Sequence, residues 1–200
     1  MKTIISYILN MLPYMLIAVP VYLPIRYIII KRRKAGVNWL RETALFIFII
    51  FLVGLASQTI IPKFEIGTAG NITVNKTRIH QTNLIPFKVF TETYREVFVL
   101  QNIKYFIVNF LGNLAVFMPI GFFVPLLWNK SNKGVIAIGF CSSFFIEFCQ
   151  LFLRRGTDVD DLILNTVGTV LGLLLYRLAE KVLPSFILKF KQQSQLNNLN

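Results

Sequence analysis

The sequence predicts an all-α integral membrane protein with about five transmembrane helices, its N-terminus outside and its C-terminus inside. Three observations predict it. Of 200 residues, 55% are hydrophobic and 15% charged, against about 25% charged in a soluble globular domain. The apolar residues gather in five runs, each near the roughly 20 residues a helix needs to cross a bilayer. The net charge of +12 sits mainly at the ends of those runs, where topology signals and headgroup contacts belong. No basic patch interleaved with aromatics stands in a soluble segment, so nucleic acid is not an expected partner.

The first run, residues 4–25, is uncharged and carries Pro13, Pro20 and Pro24. It is too long for the core of a signal peptide and no A-x-A-like cleavage site follows, so it reads as a permanent anchor. Lys2 precedes it and "KRRK" (residues 31–34) follows. Basic residues favour the cytoplasm, which places the N-terminus outside. The second run, residues 43–61, is uncharged and returns to the outside; residues 1–61 thus form a two-helix unit around a basic cytoplasmic loop.

Residues 62–104 form a long outer loop. Within it "EIGTAGNITVNKT" combines Gly, Asn and β-branched residues and predicts a small hairpin. "KVFTETYREVFVLQN" has apolar residues at helical spacing and predicts a helix lying flat on the membrane surface. "NIT" and "NKT" match the glycosylation acceptor pattern by chance.

Residues 105–183 hold the last three spans. The third, residues 105–129, contains Pro119 and Pro125; the fourth, residues 134–153, contains one charge, Glu147. The fifth, residues 162–176, extends to about residue 183 if Arg177 snorkels to the interface. Residues 184–200 read as a polar cytoplasmic tail, and "KQQSQLNNLN" within it as disordered. No internal repeat is present, which disfavours a transporter built from two halves. Cys141 and Cys149 lie in one run, roughly 12 Å apart along a helix, too far for a disulfide. His80 is the sole histidine, which excludes multi-histidine metal sites.

Polar groups inside a span face protein or water rather than lipid. At 100° per residue, Gly139, Ser143, Glu147, Gln150 and Arg154 of the fourth span fall within about 80° of arc. Asp161, Asn165, Gly168 and Gly172 of the fifth fall within about 40°. Asn109, Gly112 and Asn113 share a side of the third. Three stripes satisfy one another by turning inward. Glu147 lies roughly 10 Å below the outer end of its helix, level with Asp161, Asn165, Asn109 and Asn113. The expected object is an outward-facing polar cleft. The densest charge cluster, "RRGTDVDD" (residues 154–161), forms its lip.

Plainer roles stand beside this reading. "TDVD" fits a capping box with Thr157 as N-cap and Asp160 reaching back, and acidic residues suit a helix start. The three asparagines serve equally as hydrogen bonds between helices. Gly168 and Gly172 form GxxxG, whose expected role is close helix packing. Arg154 and Arg155 are interface anchors or ion-pair partners of the aspartates. Glu147 is costly in a bilayer unless paired, with Arg154 for example, protonated or hydrated; a functional carboxylate is the competing reading.

Four patches resemble the VanZ-like family of bacterial membrane proteins: "NLIPF" (residues 83–87), "NFLGNLAVFMPIGF" (109–122), "SFFIEFCQLFLRRGTDVDD" (143–161) and "NTVGTVLG" (165–172). Together they span roughly residues 83–176. The ordered string Glu147, Gln150, Arg155, Asp158, Asp160, Asp161, Asn165 and Gly168 carries the resemblance, and "NLIPF" adds Asn83 to the candidate cleft. The family's named member is associated with teicoplanin resistance. The resemblance implies a multi-pass protein of the bacterial cytoplasmic membrane, engaged with membrane lipids, a lipid-linked envelope component or teicoplanin itself.

Three function classes follow. In the preferred, non-enzymatic one, the cleft engages an amphiphile with a polar head and needs no cofactor. In the second, a metal-dependent enzyme acts on an envelope lipid phosphate or a lipid-linked precursor: Asp158, Asp160 and Asp161 with Glu147 offer oxygen ligands to a divalent cation, and Arg154 and Arg155 hold a phosphate. No nucleophile constellation accompanies them. In the third, the stripes are helix glue and the role is structural.

Overall fold

A computed structural model describes residues 2–32, 36–61, 64–66, 72–74, 83–153 and 157–196. Helix α1 (Lys2–Arg32) contains the three prolines. Each removes a backbone donor, which neighbouring helices and local adjustments tolerate in a bilayer. The first span was expected to stop before Arg26, yet α1 runs seven residues beyond residue 25. The reason is α2 (Trp39–Thr59): its Glu42 accepts from Arg26 Nε at 2.5 Å and from Nη2 at 2.6 Å. A paired guanidinium does not end an apolar span. Asn38 caps α2, its side chain accepting from the Arg41 amide at 3.2 Å.

The expected hairpin is present as β1 (Phe64–Ile66) against β2 (Ile72–Val74), antiparallel with Glu65 opposite Thr73. Helix α3 (Lys88–Tyr94) follows and continues as a π-helical turn, Arg95–Val99. A short α4 (Ile103–Tyr105), a π-helical stretch (Phe106–Leu111) and α5 (Gly112–Trp128) form one continuous span. Asn129, in the left-handed region at φ 46°, ends α5. Ser131 caps α6 (Asn132–Phe152), accepting from the Gly134 amide at 3.2 Å. Helix α7 (Val159–Val182) completes five spans long and apolar enough to cross a membrane. Cys141 and Cys149 are unpaired.

Residues 184–196 correct the expected polar tail, and residues 191–196 the expected disorder, because they form α8 (Pro184–Leu196). Pro184 suits a first helical position. Ile187 and Phe190, one turn apart, are buried in the core with Tyr176 of α7 and Leu127 of α5.

The closest packing joins α5 to α7. A Cβ built on Gly168 would lie 2.3 Å from the Leu114 carbonyl oxygen, and one on Gly172 would lie 2.0 Å from that of Met118. Gly121 of α5 faces the Thr169 carbonyl as closely. Two backbones in contact through three glycines leave no room for a methyl group, and the packing role expected of GxxxG holds.

The five spans define two ends. The basic end gathers Lys31, Arg32, Arg41, Lys130, Lys133, Lys181 and α8; the opposite end, termed acidic for the carboxylates of Glu147, Asp158, Asp160 and Asp161 clustered there, gathers the hairpin, α3 and the start of α7.

Candidate functional site

At the acidic end the chain must start α7, and α7 begins with amides that have no partner inside the helix. Asp158 satisfies one. It sits in extended backbone and its Oδ1 accepts from the Asp160 amide at 2.9 Å. The N-cap is therefore Asp158, not Thr157. Thr157 instead donates its hydroxyl to the Glu147 carbonyl at 3.4 Å. The shift by one residue has a cause in the chain before α3. Asn83 pairs its backbone with this segment, donating to Thr157 O at 2.9 Å and accepting from Val159 N at 3.0 Å. The bridge holds Asp158 extended, as an N-cap residue requires. The Asn83 side chain adds a bond to Asp158 Oδ1 at 2.9 Å and accepts from the Ile85 amide at 3.2 Å.

Asp160 does not reach back to its own helix. Asp160 is 2% exposed, and its carboxylate accepts from two amides of the other segment: Phe87 N at 2.5 Å and Val89 N at 2.7 Å. Phe87 is the N-cap of α3, has no side-chain cap of its own, and lies in the left-handed region at φ 67°. Asp160 thus caps α3 from a different helix. A carboxylate that accepts two backbone N–H bonds is held in place, and here it ties "NLIPF" to the mouth of α7.

Glu147 is 5% exposed. Its Oε2 accepts from the Asp158 amide at 3.0 Å, so α6 is bonded to the same turn. Deeper, Asn165 donates to Ser143 Oγ at 2.9 Å and Thr169 donates to Asn165 O at 3.1 Å. Gly139 leaves space for the Thr169 side chain. Positions 139 and 143 climb α6 in a step of four while 169 and 165 descend α7, so the antiparallel helices set Gly139 against Thr169 and Ser143 against Asn165. On the α5 side, Asn113 donates to Asp161 Oδ1.

Electrostatics outside the spans follow from burial and pairing. Burial pushes the Asp158 carboxyl above the usual carboxylate range. On α3, Lys88 lies 2.9 Å from Glu92 and Tyr105 donates to Glu92 at 2.7 Å; Lys88 first, then Tyr105, hold the Glu92 carboxyl below its ordinary value.

The structure brings together Asn83, Asn113, Glu147, Asp158, Asp160, Asp161 and Asn165 of the expected cleft. Gln150 stands half-buried on α6. Asn109 is exposed and Asn113 half-buried. Asn109 lies in the π-helical stretch Phe106–Leu111. Arg154 and Arg155 lie outside the described residues, and with them the expected pair of Glu147 with Arg154. Among the described residues no group of three or more His, Cys, Asp or Glu side chains is arranged to hold a metal ion. Asp158 and Asp160, two of the expected metal ligands, are turned toward backbone amides. Two features escaped sequence reading: the Asn83 bridge and the capping of α3 by Asp160. Both join positions more than 70 residues apart, although the capping residue types were visible.

Fold and site together define a multi-pass helical membrane protein. Its last three spans carry a buried polar ladder, closed at one end by an acidic knot. The VanZ/LLP1 family model matches residues 46–180, two thirds of the chain, and the chain belongs to that family. No curated protein and no solved structure matches it.

Proposed function

We propose that this VanZ/LLP1 protein resides in the bacterial cytoplasmic membrane with its acidic end outward. There it engages an amphiphile whose polar head meets the knot and whose chain lies along the adjoining apolar surface. The amphiphile is a lipid-linked envelope component or a lipoglycopeptide, and the expected phenotype is low-level teicoplanin resistance without catalysis.

One observation carries the reading. Asp160 holds a segment whose Leu84, Ile85, Phe87 and Phe90 are each more than half exposed, directly beside the carboxylates of the knot. Large apolar side chains at a membrane end suit acyl chains. Carboxylates and asparagines suit a head rich in N–H and O–H donors. Teicoplanin carries a fatty chain and vancomycin does not, so this arrangement favours the former.

The test is susceptibility of a sensitive Gram-positive host that expresses the wild type or Glu147→Gln, with membrane abundance followed by blot. Protection against teicoplanin alone, lost in a normally abundant variant, is expected. Equal protection against both antibiotics, or none from a well-expressed wild type, removes the resistance reading.

A further inference from the structure

A second polar feature lies at the opposite, basic end. A cavity of about 280 Å³ opens between α1, α2 and the end of α5, close to the lower bound of about 300 Å³ for small-ligand pockets. Its polar lining comes from Tyr22, Arg26 and Arg41, with Trp128 beside them. The Tyr22 hydroxyl is buried and has no hydrogen-bond partner among the described residues. Arg26 shares its charge with Glu42. Arg41 donates from Nη2 to the Leu127 carbonyl at 2.8 Å and brings a guanidinium with five N–H groups to the wall. Tyr and Arg present donors, and Arg only donors. A wall of this kind rejects cations and suits an anionic acceptor. Guanidinium groups match phosphate in both charge and geometry.

The remaining walls are apolar and lead to lipid. Ile25 is 54% exposed and Ile29 39% exposed on the outer flank of α1. A ligand headed by phosphate can therefore keep its chains in the bilayer. Lys31 and Arg32 in the last turn of α1, and Lys130 and Lys133 at the turn from α5 to α6, add positive charge at the same end of the spans. Basic pockets between transmembrane helices are suited to anionic headgroups. None of these residues takes part in the acidic knot.

We infer that the cavity bounded by Tyr22, Arg26, Arg41 and Trp128 holds the phosphate headgroup of an anionic phospholipid. The Tyr22 hydroxyl and the Arg41 guanidinium donate to the phosphate oxygens, and the acyl chains leave past Ile25 and Ile29. The lipid acts as a wedge that fixes α1 to the core.

The full chain in detergent tests this by native mass spectrometry with phosphatidylglycerol and phosphatidylcholine of identical chains. Phosphatidylglycerol should be retained at least fivefold over phosphatidylcholine, with the preference falling to near parity in Arg41→Gln and in Tyr22→Phe. Tyr22→Phe keeps the ring and loses no bond of the lipid-free protein, so it folds even if Arg41→Gln does not. Equal retention of both lipids by the wild type, or a preference that survives in Tyr22→Phe, overturns the inference. Inorganic phosphate is the companion probe in thermal unfolding. No stabilisation by millimolar phosphate beside stabilisation by phosphatidylglycerol supports the lipid as source. Equal stabilisation by both overturns the lipid and leaves a site for free phosphate.

Discussion

Replacing Asp160 by asparagine removes one charge and no volume. In the native protein the carboxylate accepts from Phe87 N at 2.5 Å and Val89 N at 2.7 Å. Hydrogen bonds to a charged group contribute about 1.5–3 kcal/mol each. Asparagine keeps one oxygen for one amide and must turn an NH₂ group toward the other. About half the pair is lost, roughly 1.5–3 kcal/mol. The left-handed backbone of Phe87, which costs about 1–2 kcal/mol, then has less to hold it. At 1.36 kcal/mol per decade, the opening equilibrium of the segment rises about 10- to 150-fold. Hydrogen exchange of the purified protein reads this directly: amides of residues 83–94 should lose that much protection in Asp160→Asn while α5 and α7 keep theirs. Unchanged exchange at Phe87 and Val89 refutes the capping of α3 by Asp160. A uniform loss through α5 and α7 refutes it equally, since it makes Asp160 a residue of the global core.

Other outcomes follow from the same geometry. Asp158→Asn should cost less than about 1 kcal/mol at pH 7, because Asn caps as well as Asp and both bonds of Asp158 use the single atom Oδ1; a loss as large as that of Asp160→Asn contradicts this. Since burial raises the Asp158 carboxyl, its titration stabilises the fold at low pH and that stabilisation fades as pH rises through the raised value. The Tm of the wild type should accordingly gain on that of Asp158→Asn between pH 7 and pH 4, and a gain in the opposite direction would falsify the assignment. Gly172→Ala places a methyl 2.0 Å from the Met118 carbonyl oxygen. It should lower stability by about 1–3 kcal/mol, read as loss of Tm, whereas Ala at Gly112, 3.5 Å from its nearest neighbour, is tolerated. Glu42→Gln leaves Arg26 without its carboxylate, a change worth about 3 kcal/mol when the pair is buried. Faster cross-linking of α1 to external probes, restored in the double variant with Arg26→Gln, is the expected signature.

Much of this fold was legible because a bilayer allows few solutions. With every backbone group obliged to bond within its own segment, length and hydropathy place five helices, and small residues at a spacing of four mark the tightest contact. Glu147, Ser143 and Asn165 were legible for the same reason, since polar atoms in a span have to find each other. The failures came where that constraint relaxes. Thr157 and Asp158 are both good caps, and the choice between them is made by Asn83, a residue remote in the chain. Arg26 looked like the end of a span because its partner, Glu42, belongs to another helix. The start of α8 was hidden by the polar residues that follow it.

The closest pair of helices, α5 and α7, is not consecutive: α6 is made between them. Translation at roughly 5–20 residues per second completes α6 about 2–6 s before α7. During that interval Glu147 and Asn113 stand in the membrane without the Asp158 amide and the Asp161 carboxylate that later meet them. The order of synthesis thus creates a waiting state, open to the chaperones and proteases that triage incomplete chains. The arrival of α7 ends it. A chain truncated before Val159 keeps Glu147 and Asn113 without these partners and should be cleared from the membrane faster than the full chain.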